Sequence, residues 1–78
     1  MSHVPHELHE EFPEFVTRIH ELKLSDAHFA KLADEYHAVN REVHRIETDI
    51  EPASDDVVNQ KRRHRLALKD QIATYLNS

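Results

Sequence analysis

The stretch "FAKLADEYHAVNREVHRIETDI", residues 29–50, decides the fold. Phe29, Leu32, Tyr36, Val39, Val43, Ile46 and Ile50 follow one another at alternating spacings of three and four residues. That rhythm is the a/d seam of a coiled coil or a long bundle helix, because it keeps the apolar side chains on one stripe of the helical surface. Ser25 has the side chain of an N-cap, Asp26 suits the positive end of the helix dipole, and Pro52 is a stop signal. The spacing predicts one helix over 26–50.

Working outward, "EPASDD" is a short connector in which Ser54 is placed to cap a following helix, reinforced by Asp55 and Asp56. Val57, Val58, Leu68, Ile72, Tyr75 and Leu76 then fall on one side of an amphipathic helix running from 55 to about 76. A connector this short makes the two helices antiparallel, with facing residue numbers that sum to about 105. Val39 is thereby set opposite Leu66 or Arg65, and Leu32 opposite Ile72. The predicted seam is Phe29, Leu32, Tyr36, Val39, Val43, Ile46 and Ile50 against Val58, Leu68, Ile72 and Tyr75. Upstream, "PEFVTRIHELK" reads as a shorter helix over about 13–23, with Pro13 in its first turn. Phe12, Phe15, Val16, Ile19 and Leu22 lie on one side of it and are the candidate interface residues. Residues 1–11 form a polar, His-rich segment, read as either a helical turn after Pro5 or a disordered tail. Residues 12–78 are read as a single helical domain. The expected fold is all-α: an antiparallel, coiled-coil-like hairpin with a short N-terminal helix, dimerising into a bundle to cover its apolar surface.

Several segments resemble one family. "FPEF" at 12–15, "IHEL" at 19–22, "DAHFAKL" at 26–32, "YHAVN" at 36–40, "RIE" at 45–47 and above all "RLALKDQI" at 65–72 are similar to the YdcH-like family of small bacterial proteins, a domain of unknown function. The resemblance implies an α-helical hairpin in Gram-negative-type bacteria and no established activity, so it carries no catalytic residue. It also implies that Lys61 stands where such sequences more usually have an apolar residue.

Composition narrows the functional classes. The 78 residues contain no Gly, so Walker loops, dinucleotide-binding turns and Gly-based oxyanion loops are excluded. There is no Cys, which excludes disulfides and suits a reducing compartment. With 38% hydrophobic and 32% charged residues, and no long apolar run, the expected location is the cytoplasm, with no membrane contact. Nothing forms a nucleophile–base–acid arrangement, so no enzyme activity, no cofactor and no small-molecule substrate are expected.

The net charge of −5 is unevenly placed: residues 1–56 carry five Lys/Arg against fourteen Asp/Glu, whereas 57–78 carry five against one. Lys61, Arg62, Arg63 and Arg65 surround His64 in one basic run. A run of five helical residues sweeps right round the helix, so it cannot form one face. Lys61 and Arg65 fall within the apolar stripe, and the antiparallel register brings Glu47 near Lys61 and Asn40 near Arg65 as a polar register layer. Arg62 and Arg63 point outward and are the candidate phosphate contacts. Eight histidines raise a second possibility, metal binding, with His3, His6 and His9 as candidate ligands at three-residue intervals.

Three functions compete on these grounds. The leading expectation is a non-enzymatic interaction or self-association module whose partner is a second copy or another helical protein. The alternatives are a nucleic-acid- or ribosome-associated factor using the basic run, and a metal-binding accessory protein using the N-terminal histidines.

Overall fold

The helices begin and end where single side chains allow it. In the computed structural model, which describes residues 5–48 and 53–77, α1 spans Leu8–Glu11, α2 Val16–Ser25, α3 Ala27–Glu47 and α4 Asp55–Leu76. A 3-10 turn, Pro13–Phe15, leads into α2, so the proline sits one turn ahead of the α-helix proper. Its fixed φ and missing N–H suit that entry position.

A single extended residue, Asp26, separates α2 from α3. Its backbone N–H donates to Leu22 O (2.8 Å), closing α2, while its carboxylate Oδ1 accepts from Phe29 N (3.0 Å), opening α3. The expected cap, Ser25, instead belongs to α2, where its hydroxyl donates to Glu21 O at 2.9 Å. The shift has a simple cause: a carboxylate at Asp26 reaches the N3 amide that needs an acceptor, and Ser25 then remains in the preceding helix. At α4, Ser54 Oγ accepts from Val57 N as expected, with Asp55 and Asp56 in the first turn. The α3 helix closes at Glu47, short of the expected 50; Ile50 and Pro52 lie outside the described residues.

The two long helices form an antiparallel hairpin, and α2 packs on α3. Contacting side chains across the hairpin, such as Asn40 with Arg65 and Phe29 with Tyr75, have numbers that sum to 105 and 104, giving the anticipated register. Phe29, Leu32, Tyr36, Val39, Val43, Val58, Leu68, Ile72 and Leu76 are buried, and Tyr75 packs against them with its ring edge-on to Phe29 at 5.4 Å. Ile46 is half-buried. Val57 and Leu66 fall away from the stripe and are exposed, and Arg65 rather than Leu66 turns towards α3, where it meets Asn40.

The N-terminal helix pair covers its own hairpin. Ile19 is buried, and Phe12, Phe15 and Leu22 are partly buried against the same core; Val16 stays exposed. The candidate interface is therefore largely occupied within the chain. Residues 5–11 join it too, since Leu8 is buried in the common core. Among the described residues no helix is long and apolar enough to cross a membrane.

Candidate functional site

Two polar groups in the middle of α3 organise the surface. Tyr36 and Asn40 lie one helical turn apart and are each 1% exposed. A buried hydroxyl or amide needs partners, and the facing helix supplies only part of what these two require. Arg65 of α4 donates from Nη1 to Asn40 Oδ1 at 3.0 Å. The remaining donors turn towards the N-terminal segment: Asn40 Nδ2 donates to Pro5 O (2.8 Å) and Tyr36 OH to His6 O (2.5 Å). Burial, with the negative charges of Glu11 and Glu7, pushes the Tyr36 hydroxyl up to about 12 despite the opposing pull of Arg65, so it stays a donor.

Charge pairs complete this clasp. Glu7 Oε2 accepts from His37 Nδ1 at 2.9 Å, and Glu11 Oε1 accepts from Lys69 Nζ and His6 Nδ1, each at 3.2 Å. Burial raises the Glu11 carboxyl, but the hydrogen bonds and charges of Lys69 and His6 outweigh it and hold the group below its ordinary value. Lys69 also lies over the Phe12 ring, 5.9 Å from its centroid. To present its carbonyl to Tyr36, His6 takes φ 64°, a left-handed conformation that costs a residue with a Cβ roughly 1–2 kcal/mol. The clasp over-determines that turn.

The polar register layer is arranged differently from the sequence expectation. Asn40 and Arg65 meet, but Glu47 does not meet Lys61. Lys61 pairs with Glu42, and Glu47 pairs with Arg62 at 2.7 Å. The reason is helical geometry: Glu42 lies closer to the level of Lys61, while Glu47 and Arg62 share the exposed flank. Arg62 thus has an internal partner, whereas Arg63 is exposed and its side chain bonds to no described residue.

The histidines are likewise redistributed. His6 precedes α1 in its left-handed turn and His9 sits on α1, so the two do not share a helical face; His3 lies outside the described residues. No group of three metal-ligating side chains is assembled among the described residues. His28 Nδ1 hydrogen-bonds the Tyr75 hydroxyl at the far end of the hairpin.

Beside the clasp runs a groove of about 460 Å³ between α1, α2 and α3. Its floor is apolar and buried, formed by Leu8, Ile19 and Ala33, and its rim carries His9, His20, Lys23, His37 and Arg41. The side chains of Lys23, Arg41, His9 and His20 make no hydrogen bond or ion pair with a described residue. Sequence reasoning missed both the clasp and the groove. One signal was present: Tyr36 and Asn40 bring polar groups onto an apolar seam, which demands acceptors beyond the hairpin.

These features define a small all-α protein, a helical hairpin clasped by its own N-terminal segment. The chain belongs to the family described as Protein of unknown function (DUF465), which includes the YdcH-like proteins and matches residues 29–76, α3 through α4. No curated protein and no solved structure matches it significantly.

Proposed function

We propose that the chain is a non-enzymatic, cytoplasmic protein-interaction module. The observation that carries this reading is the groove between α1, α2 and α3, where a buried apolar floor adjoins exposed cations that bond to no described residue. Protein contacts are built from such combinations of a desolvated apolar centre and a polar rim. Exposed Leu24, at 78%, and Val16, at 47%, extend apolar surface along α2. Self-association is one form this module takes, and a helical partner of another sequence is the other.

The nucleic-acid alternative loses support from the same geometry. Lys61, Arg62 and Lys69 each pair with a carboxylate of their own chain, which weakens the basic field that phosphate attraction requires, and Arg65 is engaged by Asn40. Photo-crosslinking in the source cell tests the reading, with a benzophenone side chain replacing Lys23 in one variant and Arg63 in another. Crosslinks from position 23 to a polypeptide, including a second copy, are expected. Crosslinks confined to position 63 and to RNA would overturn the proposal.

A further inference from the structure

We propose that the groove between α1, α2 and α3 binds an acidic peptide segment carrying one aliphatic anchor residue. The inference rests on the interaction-module reading and adds the chemistry of the partner. Three observations carry it, the first being the shape and lining of the groove. Its volume of about 460 Å³ falls in the range of ligand pockets, roughly 300–1,000 Å³, and is suited to one or two side chains rather than a whole helix. Ala33 makes the depression: it is 2% exposed and short, between the larger Leu8 and Ile19. An aliphatic side chain entering there would displace water from apolar walls.

The second observation is charge. Lys23 from α2 and Arg41 from α3 converge on the rim from different elements, both exposed and neither bonded to a described residue. The protein as a whole is −5, whereas the groove carries Lys23 and Arg41 against Glu7 alone, with the Glu7 carboxylate already bonded to His37. Such an arrangement repels acidic segments elsewhere and orients them here. The third is an internal precedent: the Glu7 carboxylate already occupies one corner of the groove, accepting from His37 at 2.9 Å. A carboxylate on a partner would find stronger, permanently charged donors in Lys23 and Arg41. Peptide is favoured over nucleic acid because the floor is aliphatic, and among the described residues lining the groove base-stacking groups occur only as the rim imidazoles and the Arg41 guanidinium.

The test is fluorescence anisotropy with a labelled peptide holding one leucine between glutamates, alongside amide chemical-shift mapping. Saturable binding is expected, with shifts concentrated at Ile19, Lys23, Ala33 and Arg41. Lys23→Glu and Arg41→Glu should each weaken it by about tenfold, as should leucine-to-serine or glutamate-to-glutamine changes in the peptide. Both protein positions are exposed, and circular dichroism verifies that the variants remain folded. Binding that is indifferent to these changes, shifts that map to α4, or tighter binding of a labelled single-stranded RNA would each overturn the inference. So would an absence of binding at millimolar peptide. If position 23 still crosslinks to a protein in that case, the interaction-module reading stands and the acidic-peptide inference alone fails.

Discussion

The apolar seam and the polar clasp hold different parts of this molecule by different physics. Along the seam, Phe29, Val43 and Ile72 are fully enclosed, and the stabilisation scales with the area removed from water. At the clasp, Tyr36 and Asn40 are just as enclosed, yet their polar atoms exchange water for carbonyls and a guanidinium, a trade whose net gain is small. What the clasp adds is position. Hydrogen bonds have direction, and Asn40 reaches Pro5 and Arg65 at once, fixing where the N-terminal segment lies relative to both long helices. The seam is the source of stability and the clasp the source of arrangement.

Substitutions separate the two. Phe29→Ala should have the largest effect, about 3–5 kcal/mol, because it removes a fully buried ring and its edge-on contact with Tyr75. Urea unfolding followed by circular dichroism measures it, and a loss below about 1 kcal/mol would mean the seam relaxes around the cavity. Asn40→Ala should cost less, about 1–3 kcal/mol in the same assay, by stranding the Arg65 donor and the Pro5 carbonyl.

Glu11→Gln probes the clasp through pH. The folded carboxyl titrates below its ordinary value of 4.5, so its contribution is present above that value and is lost as the pH falls through the folded one. The variant should be less stable at neutral pH, and its stability should decline less steeply on acidification. Parallel stability-versus-pH curves would remove Glu11 from the account.

The smallest effect belongs to the half-buried pair Lys61–Glu42 at the edge of the hairpin seam, with side chains 34% and 36% exposed. A double-mutant cycle should give a coupling below about 1 kcal/mol. The same cycle on Lys61 and Glu47 should give none, since Glu47 pairs with Arg62.

How far each region was legible follows from the same contrast. The seam was written in a three-four rhythm, and its register followed from a short connector, because hydrophobic burial reads residue type and spacing alone. The capping of α4 by Ser54 was local and equally readable. The α3 cap was misassigned by one residue, since Ser25 and Asp26 are both competent and only geometry chooses between them. The pairing of Glu47 failed for a different reason: Glu42 and Glu47 lie five residues apart, roughly 140° round the helix, and which of Lys61 and Arg62 reaches which carboxylate depends on the side-chain paths across the hairpin. The clasp was hidden more deeply. Its acceptors are backbone carbonyls of Pro5 and His6, which leave no mark on residue identity, and its left-handed turn falls on a histidine in a chain without glycine. The groove rim joins Lys23 and Arg41 across two elements, which requires the packing of α2 on α3 to be known first.

Native-state hydrogen exchange tests most directly whether seam and clasp are separate. The amides of Glu11 and Phe12, bonded to Glu7 O at 2.9 Å and Leu8 O at 2.8 Å, report the clasped segment; those of Val43 and Leu68 report the seam. Ile72→Val, a loss of about 0.5–1.5 kcal/mol from the seam, should lower protection at Val43 and Leu68 and leave Glu11 and Phe12 unchanged. Asn40→Ala should lower protection at Glu11 and Phe12. Equal loss at all four amides in Ile72→Val would contradict the account, because it would make the N-terminal segment and the hairpin one cooperative unit.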